Sequence, residues 1–337
     1  MPTVTQLYLA PAYAIAGNEV AATLKVRSTV SFTAQTLTVA VRDAFGHNLD
    51  FIGVHNVTIT PAGYTLTTPS KTFYPGEYTI FGAYQLGGVW YSLPSVLMIV
   101  GEAHGGGSGP TEGKSVVWAE HFEHPLSRDR WNSAGTSAYQ YYTHNPNDDK
   151  LDWIHADKVT VANNIVTFTA VPGNETLENG KKAWNTGLIT TEGTLEAFEV
   201  RANDYVETLV QMPAELGAWP ALWTWRDGDN EVDNFEYHPD NPNLLEFTNH
   251  VRFGQDYYTN AQAVAPLVWV TIGTLYGATS VDWYINGTRV FSDGTGVPAS
   301  WTAFLILNLS VCAGAFHPTP IPPGPLVFRA DYIQVWR

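Results

Sequence analysis

The sequence predicts an all-β protein in two parts: an immunoglobulin-like β-sandwich joined by a Gly-rich linker to a β-jelly-roll (concanavalin-like) sandwich. Three observations carry this. Short segments rich in β-branched and aromatic residues recur along the whole chain, with Asn, Gly and Pro between them. Helical periodicity is almost absent. The run Gly105-Gly106-Gly107-Ser108-Gly109-Pro110 separates two stretches of unlike length and charge. The expected boundaries are 1–101 for an accessory or docking domain, 102–113 for the linker and 114–337 for the main domain.

In the first part the expected strands are Val4–Leu9, Val20–Val26, Leu37–Val41, Val57–Ile59, Tyr78–Tyr84 and Val96–Val100, with a hairpin turn at Gly87-Gly88. Six short strands in about a hundred residues suit an immunoglobulin-like sandwich. No Cys–Trp–Cys pattern is present, so the antibody type is not implied. Leu7 to Gly17 is apolar and ends in small residues, but it lacks a basic flank and Pro11 interrupts it. A first strand, not a signal peptide, is expected there. In the second part the expected strands include Val159–Ala170, Val206–Met212, Glu231–Tyr237, Val281–Ile285, Phe304–Leu309 and Val327–Val335, long and aromatic enough for a two-sheet jelly roll.

Composition narrows the partners. The chain has 337 residues, a net charge of −15 and only 15% charged residues, against 13% aromatic. That mix fills a large core and excludes disorder. Residues 1–100 are balanced, with Lys25, Arg27, Arg42 and Lys71 against Glu19, Asp43, Asp50 and Glu77, so the whole excess lies in residues 101–337. An acidic surface disfavours nucleic acid and anionic membranes, and no apolar run is long enough for membrane insertion. Cys312 is the single cysteine, so no internal disulfide is possible.

The stretch that carries chemistry is Asn230-Glu231-Val232-Asp233-Asn234-Phe235-Glu236-Tyr237. On a regular strand Glu231 and Asp233 share one face and Glu236 takes the other. One extra residue in a β-bulge at Asn234-Phe235 returns Glu236 to the face of the first two. Three carboxylates on one face repel, so at least one is expected to hold its proton above the usual range. Two of them about 5–5.5 Å apart are what a retaining glycosidase requires. The triplet alone is equally compatible with a solvated acidic edge strand or a metal-binding acidic loop. Upstream, Gly217-Ala218-Trp219-Pro220-Ala221-Leu222-Trp223-Thr224-Trp225 offers aromatic rings on which pyranose C–H faces could stack. Trp219 or Trp225 is expected to face sugar, and Trp223, inside the apolar run, to fill the core.

At this point residues 115–337 resemble glycoside hydrolase family 16, the laminarinase and agarase group. Glu231, Asp233 and Glu236 match its bulged E-x-D-x-x-E signature, and Gly217 to Trp223 resembles its G-x-W-P-A-x-W segment. Val116 to Phe122 is similar to its opening strand, Thr186 to Thr191 to S-G-L-I-T, and Trp283 to Gly287 to W-Y-V-D-G. Leu307 to Val311 is similar to N-L-A-V, and Asp331 to Trp336 to the closing strand. The resemblance implies a curved jelly roll with a cleft, Glu231 as nucleophile, Glu236 as acid/base and Asp233 as helper. It implies Asn308 as a cleft residue and His250 either as another or as an ordinary surface histidine. No cofactor is required for the implied chemistry, and a structural calcium held by Asp331 is a further implication.

Three departures leave the sugar open. Glu207-Thr208-Leu209 lacks an expected arginine, Cys312-Ala313 replaces paired glycines, and the segment before Trp283 lacks His-x-Tyr. The expected function is therefore retaining endo-hydrolysis of a β-linked polysaccharide, a β-1,3-glucan or a β-galactan. The expected location is extracellular or virion-associated, with residues 1–101 docking to a virion or cell surface. The competing class is a carbohydrate-binding or structural virion (phage tail) protein on the same fold.

Overall fold

A computed structural model describes residues 2–337 apart from 12, 16–18, 44, 75, 102–108, 241–244, 259–263 and 323. Two compact units emerge, Met1–Ser108 and Gly109–Arg337. Most of the expected linker, residues 102–108, lies outside the described residues.

The N-terminal unit is built from two sheets around one core. Val4–Ala10, Thr23–Ser28 and Tyr64–Thr67 form the three-stranded sheet. Tyr13–Ile15, Val89–Gly101, Gly76–Leu86, Phe32–Arg42 and Val54–Ile59 form the five-stranded one, in that order. Leu24, Val26 and Leu66 from the first meet Leu37, Val39, Ile80 and Met98 from the second. The expected hairpin at Gly87-Gly88 is present: Leu86 pairs with Val89, and both glycines take positive φ (60° and 81°), which a two-residue turn demands.

The C-terminal unit is a sandwich of a ten-stranded and a seven-stranded sheet. Its first strand, Val116–Glu120, pairs with its last, Leu326–Trp336. The expected strand Val159–Ala170 is in fact a hairpin, Val159–Ala162 paired with Ile165–Thr176. Asn163 and Asn164 turn it, with φ of 55° and 62°. Asparagine tolerates the left-handed region that other side chains avoid, so an Asn pair inside a β-branched run breaks the strand without Gly or Pro.

The seven-stranded sheet positions the site. Its order is Leu188–Thr190, Thr302–Val311, Ala218–Trp225, Val232–Tyr237, Leu245–Asn249 and Gly254–Tyr258, with Glu199–Arg201 also on Thr302–Val311. One face sends Leu222, Phe235, Phe247, Leu305 and Leu307 into the core between the sheets, against Trp283 and Phe328. Each such side chain contributes about 1.5–3 kcal/mol by leaving water. The opposite face carries the polar residues described next.

Candidate active site

The acidic strand Val232–Tyr237 runs between Ala218–Trp225 and Leu245–Asn249. On one side Trp223 faces Asp233, Leu222 faces Phe235 and Ala221 faces Glu236. On the other, Thr248 faces Asp233 and Glu246 faces Glu236. Both neighbours advance two residues while the acidic strand advances three, so a one-residue bulge sits at Asn234-Phe235. Both bulge residues turn inward. Phe235 joins the core, and Asn234 accepts a hydrogen bond from the buried Tyr276 hydroxyl at 2.7 Å. Core Trp283 donates its indole N–H to the Asp233 carbonyl at 2.9 Å, next to the break in the ladder. Below the strand, Thr224 accepts from the Val232 N–H at 2.9 Å and fixes where the strand begins.

As a result Glu231, Asp233 and Glu236 line one pocket of about 220 Å³. Alternation along Ala218–Trp225 brings Trp219, Ala221, Trp223 and Trp225 to that same pocket while Leu222 enters the core. Trp223 is buried as expected, in a small apolar cluster with Tyr139, Leu188 and Ile306, and its indole also borders the pocket on the face of Trp219 and Trp225. Trp219 donates its indole N–H to Glu236 Oε1 at 2.8 Å. The indole nitrogen of Trp225 is buried and has no hydrogen-bond partner among the described residues.

Asn308 reaches the pocket wall, but both ends of its amide are engaged. Its Oδ1 accepts from Trp223 Nε1 at 2.9 Å, and its Nδ2 donates to Ser310 Oγ at 2.7 Å. Behind it, the Tyr139 hydroxyl donates to buried Asp152 at 2.7 Å, and Asp152 also accepts from the Val311 N–H at 2.7 Å. This network locks the Trp223 indole. His250, one residue past Leu245–Asn249, places Nε2 3.0 Å from Asp233 Oδ2. Asp331 lies within Leu326–Trp336 on the ten-stranded sheet, away from the pocket.

Sequence reading missed Asn145, Asp148 and Lys150, which line the pocket from the irregular segment around the short 3₁₀ turn Pro146–Asp148. Lys150 holds its ammonium 4.6 Å from the Trp219 ring centre, 5.2 Å from Tyr139 and 5.8 Å from Trp223. A loop with no periodicity gives no signal for such contacts. His238 could have been found, because it continues the alternation from Glu236.

Electrostatics follow from burial among like charges. Burial pushes Asp233 up to about 8, with Glu236 and Glu231 adding to the rise and the His250 hydrogen bond opposing it. The same hydrogen bond lifts His250 to about 9. A proton therefore stays with the Asp233–His250 pair through neutral pH. Burial also raises Glu231, while the positive charges of His250 and Lys150 act the other way. The apparatus is thus two outer carboxylates flanking a proton-holding pair, with an indole donor on one of them.

No family model matches the chain. The endo-1,3-1,4-β-glycanase EglC of Rhizobium meliloti (strain 1021) is 24% identical over 214 residues, which is 56% of this chain and 43% of EglC. The endo-1,3-1,4-β-glycanase ExsH of the same organism is 25% identical over 186 residues, 52% of this chain and 39% of ExsH. The chain thus spans about two-fifths of the curated relatives it matches. Among solved structures, the endo-β-1,3-glucanase of Pyrococcus furiosus superposes with a TM-score of 0.57 at 19% identity, covering 66% of this chain and 94% of that one. The laminarinase catalytic domain of Thermotoga petrophila RKU-1 gives 0.57 at 20% identity, covering 67% and 98%. These likenesses show a shared fold, a β-jelly-roll sandwich.

Proposed function

We propose that this protein is a retaining endo-hydrolase of a β-linked polysaccharide, with a β-1,3-glucan type of backbone as its first candidate substrate. The observation that carries the reading is the bulge: it gathers Glu231, Asp233 and Glu236 at one pocket beside three tryptophans. Solved relatives of the same fold named as β-1,3-glucanases and laminarinases, and curated relatives named as endo-1,3-1,4-β-glycanases, support the substrate class.

In this reading Glu231 attacks the anomeric carbon, and Glu236 gives its proton to the departing glycosidic oxygen. The covalent glycosyl intermediate on Glu231 is then cleaved by a water that Glu236 deprotonates. Asp233, holding a proton shared with His250, relieves the charge between the two and orients the nucleophile. No cofactor enters this chemistry, and Asp331 takes no part in it; a calcium there would be structural. The N-terminal two-sheet unit serves as an immunoglobulin-like accessory module, and the enzyme meets its polymer outside the cell, on its own or as part of a particle.

The test is Glu231→Gln on laminarin. Loss of turnover by about 10⁴-fold or more, with the thermal midpoint retained, is expected. Near wild-type release of reducing ends by that variant would overturn the proposal.

A further inference from the structure

A second polar cluster stands at the other end of the acidic strand. The alternation that exposes Glu236 to the open face continues to His238, while Tyr237 between them enters the core. Glu246 lies directly opposite Glu236 on the neighbouring strand. His317 arrives from the segment that follows Thr302–Val311. The three side chains each offer a ligand atom within 4.8 Å of the other two. With Trp219 and Cys312 they line a separate pocket of about 310 Å³.

The surroundings are those of a coordinating pair of imidazoles. His317 Nδ1 lies 3.1 and 3.0 Å from the two carboxylate oxygens of Asp240. A carboxylate on Nδ1 makes that nitrogen the donor and leaves Nε2 with its lone pair, the support that metal-binding histidines receive. His238 turns Nδ1 toward Cys312 Sγ at 3.7 Å. Neither Nε2 has a protein hydrogen-bond partner among the described residues. The two rings stack within 5° of parallel with centroids 3.5 Å apart, and both residues line the pocket.

Two imidazoles and a carboxylate form the donor set of a zinc-class ion with one position left open. Such an ion holds its ligands at about 2.0–2.2 Å, which sets them about 3.3–3.5 Å apart in a tetrahedron. The three atoms lie within 4.8 Å of one another with the rings stacked, so binding requires the rings to splay and the atoms to close to that spacing.

We propose that His238, Glu246 and His317 form a three-ligand site for a divalent transition metal, with Asp240 orienting His317 and the fourth position open to the pocket. The site goes beyond the glycosidase reading and does not depend on it. Its place in the fold gives it a consequence for that reading: Glu246 is the cross-strand neighbour of Glu236, and Trp219 borders both pockets. A bound ion puts positive charge at the Glu236 end of the groove.

The experiment is titration of the full chain with Co²⁺ alone, followed by the visible absorption of the bound ion and by calorimetry. One equivalent with the intense band of a four-coordinate site is expected. His317→Ala removes that equivalent, and Asp240→Asn weakens it by about 10–100-fold while the ligands stay in place. His250→Ala, in the neighbouring Glu231–Asp233–His250 group, leaves it unchanged. Absence of the band, its survival in His317→Ala, or its loss in His250→Ala overturns the proposal. Because no substrate is involved, failure here is distinct from failure of Glu231→Gln to abolish hydrolysis.

Discussion

Carboxylates are withdrawn from water on both sheets of the C-terminal sandwich, and the company they keep differs. On the ten-stranded sheet Glu207 alternates with core residues Val206 and Val210, so it faces outward. There it accepts hydrogen bonds from the Tyr205 hydroxyl at 2.9 Å and the Tyr332 hydroxyl at 2.8 Å. Burial raises Glu207, and the two tyrosines oppose the rise. On the seven-stranded sheet burial raises Asp233 as well, but there two further carboxylates add to it. A raised carboxylate therefore does not mark a site by itself. Like charges gathered at an open pocket, at a cost in stability, do.

That contrast is breakable at both ends. The largest expected effect is Asp233→Asn: hydrolysis falls by about 10²–10⁴-fold while the thermal midpoint at pH 7 holds or rises, because an amide stays neutral at a position where burial and two neighbouring carboxylates already oppose a charge. A variant that is both active and less stable would make Asp233 the structural twin of Glu207. Next is Trp219→Phe, which keeps the ring and deletes the donor to Glu236. A charge-assisted hydrogen bond of about 1.5–3 kcal/mol predicts a fall in kcat of about 10–100-fold with little change in KM. An unchanged kcat would leave Trp219 as a stacking surface only.

Glu207→Ala should behave the opposite way. Unpaired tyrosine hydroxyls cost about 1–3 kcal/mol in urea unfolding, and kcat stays within about two-fold. A large loss of activity would merge the two regions that the comparison separates. The smallest effect concerns pH. The pKa of His250 is raised in the folded state to about 9, so the stability it contributes is present below about 6.5 and is lost as pH rises through 9. His250→Asn should flatten the decline in thermal midpoint across that window. The His250 side chain is 45% exposed, so the difference is under about 1 kcal/mol. An unaltered slope would remove His250 from the pair.

Legibility in the sequence followed the local physics. The triplet Glu231, Asp233 and Glu236 makes sense only with one extra residue, so the bulge could be placed at Asn234-Phe235 from spacing alone. Gly87-Gly88 announced its turn because two positive φ values need such residues, whereas Asn163-Asn164 does the same work under cover of a β-branched run. Trp223 was legible as a buried ring but not as part of the pocket wall, because apolar neighbours hide a period of two when one face meets the core and the other meets aromatic rings. Asn308 carried no hint that its amide is spent on Trp223 and Ser310, since that depends on strands far apart in the chain. Lys150 was illegible for the same reason: contact with Trp219, Tyr139 and Trp223 is decided by how an irregular segment folds over the sheet.

The most direct test of the central claim, that Glu231 and Glu236 act in succession on one anomeric carbon, is the configuration of the freshly released reducing end. Proton NMR of laminarin digestion within the first minutes should show the β-anomer appearing first and the α-anomer only by later mutarotation. An α-anomer formed first would mean inversion by a single displacement, and the roles assigned to the two carboxylates would be wrong.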